Sequence, residues 1–186
     1  MDIKKTIFVI ASAIIILTSC NEEQRYAQEV KELTGRTVVF PNGYKRVSAH
    51  GDDCNYDVRK HGSKIVMYVD YSEGCIECCV KMLERRERQI EEITGCSNCF
   101  IVVFTNVDFN KLQEAVASCN ITSSMLFYPT DIFGKKNGLC GKLAVNKTFM
   151  LDENNEVVLV GEPFENERLS LLYKRTIRLG EHQLNN

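Results

Sequence analysis

The sequence lacks several features that would assign it quickly to a large class of proteins. It has no tryptophan, no internal repeat and no low-complexity tract across its 186 residues. Its formal net charge is −2, so it lacks the excess positive charge with which nucleic-acid-binding proteins contact phosphates. Its three histidines, His50, His61 and His182, do not have the spacing of metal ligands. These absences exclude a nucleic-acid partner and leave no histidine-based metal motif.

The sequence also lacks a hydrophobic run long enough to cross a membrane comfortably. Its apolar run at residues 7–17 follows two lysines and is shorter than the roughly 20 residues that a membrane-spanning helix needs. This arrangement is typical of a secretory signal peptide. Residues 17–20, LTSC, resemble the lipobox of bacterial lipoproteins, in which the cysteine is acylated and becomes the first mature residue. We therefore expect a signal peptide over residues 1–19 and lipid on Cys20; the alternatives are an ordinary signal peptide or an anchor helix.

Cysteine, by contrast, is abundant. The chain has nine, and five of them fall in two groups, within residues 75–79 and 96–99. If Cys20 carries lipid, eight remain, an even number that permits disulfide pairing in an exported protein. The sequence leaves open the pairing of Cys54, Cys79, Cys96, Cys99, Cys119 and Cys140.

The hydrophobic pattern alternates between strands and helices, which predicts parallel strands with helical crossovers and a final antiparallel hairpin. Residues 42–62 show no clear pattern, and residues 131–142 are predicted to be a glycine-rich loop. The predicted strands are residues 37–40, 64–70, 100–106, 124–129, 147–152 and 156–161, and the predicted helices are residues 23–35, 78–94, 108–119 and 166–179.

The first cysteine pair lies at a corner between a predicted strand and a predicted helix. Cys75 and Cys78 follow the strand at residues 64–70 and open the next helix. Unpaired N–H groups and the helix dipole favour negative charge there, so a cysteine at this position is expected to have a lowered pKa. A second thiol one turn later can attack a mixed disulfide formed by the first. The pair is therefore predicted to be a redox site.

The element order, the position of this pair and the closing segment TFMLDENNEVVLVGEP together resemble the thioredoxin fold. The most similar variety is the membrane-anchored thioredoxin-like lipoproteins of bacteria, which are thiol-disulfide oxidoreductases outside the cytoplasm. The resemblance implies an α/β domain over residues 59–180, with a central mixed sheet and flanking helices. A lipidated N-terminus and extension, residues 20–58, would precede this domain, and a tail, residues 181–186, would follow it.

The resemblance also implies roles for individual residues. Cys75 would be the nucleophile and Cys78 the resolving cysteine, with no cofactor and no metal beyond this dithiol. Asp70, at the end of the preceding strand, would either accept a proton from the resolving thiol or be a solvated carboxylate. Expected partners are membrane lipid through acylated Cys20, proteins that carry disulfides or thiols, and a membrane protein that donates electrons. The expected location is the bacterial cell envelope, facing the periplasm or the surface.

The sequence departs from the family pattern near the cysteines. Gly74 stands where active members usually have tryptophan, and Ile76 and Glu77 replace the usual Gly-Pro. Glu73 and Glu77 flank the thiols, and their negative charge opposes the thiolate and offsets part of the helix-end effect. Asn146 stands where the family has a cis-proline, and a non-proline cis bond costs about 3–4 kcal/mol, so we expect a trans bond. The alternative to an enzyme is therefore a non-catalytic member of the fold, a binding or structural module stapled by disulfides.

Zinc is the alternative ligand for the two cysteine pairs, whose spacing C-x2-C-x17-C-x2-C lies within the range of zinc sites. A helix between the pairs would hold them about 20–25 Å apart, too far for one tetrahedral ion. We therefore expect Cys96 and Cys99 to form a local disulfide or to be free thiols. Cys79 points away from Cys78 on the predicted helix and is expected to pack in the core.

Overall fold

The structure, a computed structural model, describes residues 21–48, 62–71, 75–96, 99–143, 147–164 and 166–184, the last seven of these by their backbone alone. Cys20, Cys54 and Asn146 lie outside the described residues, so the predictions for them stay predictions. Within the described part of the chain, no helix combines the length and apolar character needed to cross a membrane.

Six strands form one mixed sheet with helices on both faces, as the sequence predicts. The strands are β1 Lys45–Val47, β2 Lys64–Asp70, β3 Phe100–Thr105, β4 Ser124–Tyr128, β5 Thr148–Leu151 and β6 Val157–Val160. The helices are α1 over residues 21–33, α2 Ile76–Thr94, α3 Phe109–Ala117, α4 Ile132–Asn137 and α5 Glu167–Leu184. The strand order is β1-β4-β3-β2-β5-β6. Strands β2, β3 and β4 run parallel, whereas β1, β5 and β6 pair antiparallel with their neighbours.

The sheet divides the core into two layers because side chains alternate across each strand. On one face, Met67 and Phe104 pack with residues of α2, α3 and α5. On the other face, Tyr68 and Val103 pack with residues of α1 and α4. Central strands covered on both faces must be apolar almost throughout, which explains the long hydrophobic runs in β2 and β3.

The structure differs from the sequence-based assignments at three places. Residues 37–40 do not form a strand. Thr37 makes an isolated bridge with Glu156. The side chain of Asn137 hydrogen-bonds both the N–H and the C=O of Val39, each at 2.9 Å. A strand, β1, forms instead within the segment that had no clear pattern, and it pairs with β4.

The predicted loop at residues 131–142 contains a helix, α4. Asp131 caps its N-terminus by accepting the N–H of Gly134 at 2.9 Å, and Gly138 ends it with a φ of 67°. Gly134 lowers the apparent helix propensity of the segment, yet no larger residue fits there. A Cβ atom at Gly134 would lie 2.3 Å from the Tyr68 hydroxyl. Close packing against the sheet thus accounts for the glycine that obscured the helix.

The parallel pairing of β2 and β3 places the cysteine pair. Their carboxyl ends lie side by side, with Asp70 opposite Thr105. Helix α2 follows β2 and helix α3 follows β3, so both helices begin at the same edge of the sheet. Residues that follow the two strands therefore face each other across this edge.

Candidate active site

Cys75 is the N-cap residue of α2. Its backbone is extended, with φ −99° and ψ 109°, and its thiol is exposed. The sulfur accepts a hydrogen bond from the backbone N–H of Cys78 at 3.2 Å, in the way that a serine or aspartate oxygen caps a helix. The structure thus places the predicted nucleophile at a helix N-terminus, open to solvent.

The pKa of the Cys75 thiol is raised, contrary to the sequence-based expectation. The main cause is a hydrogen bond with the Cys78 thiol. The N–H of Cys78 acts in the opposite direction, and the Glu77 carboxylate, which accepts from the Cys75 thiol at 3.3 Å, raises the pKa further. The helix end supplies the predicted stabilisation of the thiolate, but these two side-chain contacts outweigh it. The effect of the Cys78 thiol on Cys75 also places the two thiols near each other.

Cys79 has a different environment from its neighbour Cys78. Cys78 is exposed, whereas Cys79 is half-buried and packs against the core under α2, as predicted. Burial raises the pKa of the Cys79 thiol, and the thiols of Cys75 and Cys78 add to this effect. The crowded group of three cysteines thus separates into an exposed pair and a core-facing thiol.

Asp70 ends β2 on the exposed edge of the sheet. The Asn106 amide, at the end of the neighbouring strand, donates to its carboxylate at 2.6 Å. Asn106 reaches this position with a left-handed backbone, φ 57°, a region that asparagine tolerates better than most residues. Asp70 is thus an exposed carboxylate held by the neighbouring strand, and its role as proton acceptor stays a prediction.

The second pair, Cys96 and Cys99, lies at the opposite end of α2. The helix has 19 residues, so it separates the two pairs by about 28 Å at 1.5 Å per residue. The four sulfurs cannot reach one metal ion, and among the described residues no three metal-ligating side chains are grouped to hold one. Cys99 is only 4% exposed, and contact with the Cys96 thiol together with burial raises the pKa of Cys99 far above its ordinary range.

Two features of the structure escaped the sequence reasoning. On the other face of the sheet, the Asp131 carboxylate accepts hydrogen bonds from the Tyr68 hydroxyl at 2.7 Å and from the Cys140 thiol at 3.1 Å. The Asp131 contact raises the pKa of Cys140. The second feature is an open groove of about 540 Å³ beside Cys75. Asp131, three residues before a helical glycine, is a capping signal; the groove depends on how two strands pair and has no local signal.

The chain matches no protein-family model and no curated protein. Solved structures share its architecture. The chain is similar to a candidate electron transfer protein from Aquifex aeolicus VF5, with 11% identity and a TM-score of 0.50, over 77% of this chain and 99% of that one. A candidate protein disulfide isomerase from Bacteroides thetaiotaomicron has 10% identity and a TM-score of 0.49, over 82% and 95%. The thioredoxin domain of a thiol-disulfide oxidoreductase from Bacteroides vulgatus has 12% identity and a TM-score of 0.45, over 79% and 97%.

The chain has a thioredoxin-like fold. The mixed six-stranded sheet, the flanking helices and the cysteine pair after β2 agree with the fold expected from the sequence. At such low identities the likeness shows the fold alone. The chemistry must therefore be argued from the residues at the N-terminus of α2.

Proposed function

We propose that this protein is a thiol-disulfide oxidoreductase in which Cys75 is the nucleophile and Cys78 the resolving cysteine. The observation that carries the proposal is the exposed Cys75 sulfur at the N-cap of α2, which accepts the backbone N–H of Cys78 at 3.2 Å. Thiolates attack disulfides, and an accessible sulfur at a helix N-terminus is favourably placed to do so.

In the reductive direction, the Cys75 thiolate attacks one sulfur of a substrate disulfide. That S–S bond breaks, a mixed disulfide forms on Cys75, and the other substrate sulfur leaves as a thiolate that takes up a proton. The Cys78 thiolate then attacks the Cys75 sulfur, which releases the second substrate thiol and leaves a Cys75–Cys78 disulfide. Two electrons pass to the substrate, and a partner dithiol must supply two electrons to regenerate the protein.

The contacts around Cys75 set the pH range of this reaction. Because the Cys78 thiol and the Glu77 carboxylate raise the pKa of Cys75, the thiolate is a minor form at neutral pH. The rate of attack should therefore increase as the pH rises toward that pKa. The hydrogen bond from the Cys78 N–H remains available to the Cys75 thiolate that forms.

We also propose that the protein is anchored by lipid on Cys20 outside the cytoplasm and receives electrons from a membrane protein. The support is the signal-like segment at residues 1–19, the LTSC sequence and the number of cysteines. Labelling of growing cells with a radioactive fatty acid tests the anchor. The wild type should incorporate label and Cys20→Ser should not; equal labelling would contradict the assignment.

A dithiol reductase assay on a protein disulfide tests the enzyme hypothesis. The variants are Cys75→Ser and Cys78→Ser, and the matched control is Cys140→Ser, which removes another exposed thiol. We expect Cys75→Ser to fall to background and Cys78→Ser to accumulate a mixed disulfide with substrate, while the control retains wild-type activity. Equal, near-background rates in all four proteins would contradict the enzyme hypothesis and favour the alternative, a thioredoxin-fold binding or structural module.

A further inference from the structure

The groove beside Cys75 carries an inference about substrate. We propose that it binds the polypeptide around the reacting disulfide and selects segments with basic residues next to the cysteine. This inference rests on the proposed oxidoreductase function, because it assigns the substrate class of the same thiol.

The groove is formed by the corner where the parallel strands β2 and β3 end. The first turn of α2, with Cys75, Ile76 and Glu77, forms one wall. The β3–α3 connection and the exposed side of α3 form the other, through Asn106, Val107, Asp108, Lys111 and Glu114. Since Cys75 is itself a wall residue, a segment lying in the groove brings its disulfide to the nucleophile.

The apolar side chains of the groove suit a polypeptide rather than a small ion. Tyr71 and Val107 are half-buried, and Ile76 is buried beneath the first turn of α2. They give a contact surface for the aliphatic parts of a substrate, including the methylene groups of lysine and arginine. The groove is open along one side and is therefore accessible to an extended chain.

The charged side chains of the groove are mostly acidic. Glu77, Asp108 and Glu114 are exposed carboxylates, and the cation among the lining residues is Lys111. Lys111 lies close enough to Glu77 to contribute to the lowered pKa of that carboxyl, after the larger effects of the Glu77 backbone N–H and the Cys75 thiol. Lys111 and, more weakly, Lys81 outside the lining both act on Glu77, so the negative charges of Asp108 and Glu114 remain for a substrate.

The N-terminus of α3 does not make the groove attractive to anions. A helix N-terminus favours anions, but Asp108 caps α3 and its carboxylate accepts the N–H of Lys111 at 3.0 Å. The helix end is thus already supplied with a negative group from this chain. An acidic segment would meet repulsion at the groove, whereas a basic segment would meet attraction, with an effect mainly on association rate that salt screens.

Symmetric disulfide-linked dimers of a short peptide test the selection. Three versions place two lysines, two serines or two glutamates around the cysteine. At low salt, we expect the wild type to reduce the lysine version about three- to tenfold faster than the glutamate version, given the modest strength of exposed ion pairs. The ratio should approach one at high salt. Glu114→Lys should lower the ratio several-fold, and the matched charge reversal Glu92→Lys, on the last turn of α2 and outside the groove, should leave it unchanged.

The possible results test the selection of basic segments separately from the oxidoreductase function. Reduction of the serine version by the wild type, but not by Cys75→Ser, supports the oxidoreductase function alone. If that activity is present, the proposed selection is overturned by a ratio of lysine-version to glutamate-version rates near one. An equal decrease of this ratio in Glu114→Lys and Glu92→Lys would overturn it too. If the serine version is not reduced, the rates at which cationic and anionic methanethiosulfonates modify Cys75 decide the matter. A cationic preference that Glu114→Lys removes supports the acidic groove, and equal rates overturn it.

Discussion

The two Cys-x-x-Cys pairs of this protein have the same spacing and lie at opposite ends of one helix, but their surroundings differ. Cys75 and Cys78 begin α2 and are exposed, whereas Cys96 and Cys99 follow its C-terminus and Cys99 is buried. At the first end, a backbone N–H donates to the Cys75 sulfur. At the second end, the Cys99 thiol instead donates to the Cys96 carbonyl at 3.2 Å.

This difference shows that the surroundings of a cysteine pair, rather than its spacing, determine what the pair can do. N–H groups at a helix N-terminus stabilise a thiolate, while carbonyl groups past its C-terminus stabilise the protonated thiol. Burial adds to the second effect, because an apolar environment disfavours the charged form. The first pair is therefore suited to exchange with a substrate, and the second is suited to a structural role as thiols or as a local disulfide.

The largest expected effect of this difference is on thiol reactivity. In the reduced protein at neutral pH, iodoacetamide should modify Cys75 about a hundredfold faster than Cys99, because Cys99 must first be exposed by local opening. Mass spectrometry of peptides after timed alkylation measures both rates in one sample. Alkylation in denaturant is the control and should bring the rates together. Similar rates in the folded protein would show that the second pair is as accessible as the first, contrary to the difference in burial between them.

A smaller effect is expected on stability at alkaline pH. The pKa of Cys99 is raised in the folded state, so above the unfolded value of about 8.5 the folded chain retains a proton that the unfolded chain loses. The free energy of unfolding should therefore fall as the pH rises, by at most about 1.4 kcal/mol per pH unit from this group. Below that unfolded pKa, both states are protonated and this contribution is constant.

Urea unfolding of the reduced protein between neutral pH and about pH 10 measures this decrease. Cys99→Ala should show a shallower decrease than the wild type, although it loses some stability at neutral pH because a buried sulfur is removed. Cys119→Ala, which removes a half-buried thiol outside both pairs, is the matched variant and should keep the wild-type slope. The same slope in wild type and Cys99→Ala would show that Cys99 does not titrate with unfolding.

The sequence predicted the position of the exposed pair and the opposing charge of Glu77, but not that the pKa of Cys75 is raised. The apolar run of β2, followed by a helical pattern, was enough to place Cys75 at the start of α2, because both signals are local. The raised pKa of Cys75 comes from the Cys78 thiol and the Glu77 carboxylate, so its sign depends on side-chain directions that spacing does not determine. The acidic groove depends on the pairing of β2 with β3, and α4 was missed because Gly134 serves tertiary packing rather than helix propensity.

The smallest expected effect is that of Glu77 on the pKa of Cys75 in the first pair. The Glu77 carboxylate accepts a hydrogen bond from the Cys75 thiol and contributes to the raised pKa of that thiol, although less than the Cys78 thiol does. Glu77→Gln should therefore lower the pKa of Cys75, and at neutral pH alkylation of Cys75 should become a few-fold faster. The pH dependence of the alkylation rate separates a shift in pKa from a change in access. Glu84→Gln, farther along α2, is the control and should behave as wild type. An unchanged pH profile in Glu77→Gln would mean that this carboxylate does not hold the proton, and that the Cys78 contact accounts for the raised pKa of Cys75.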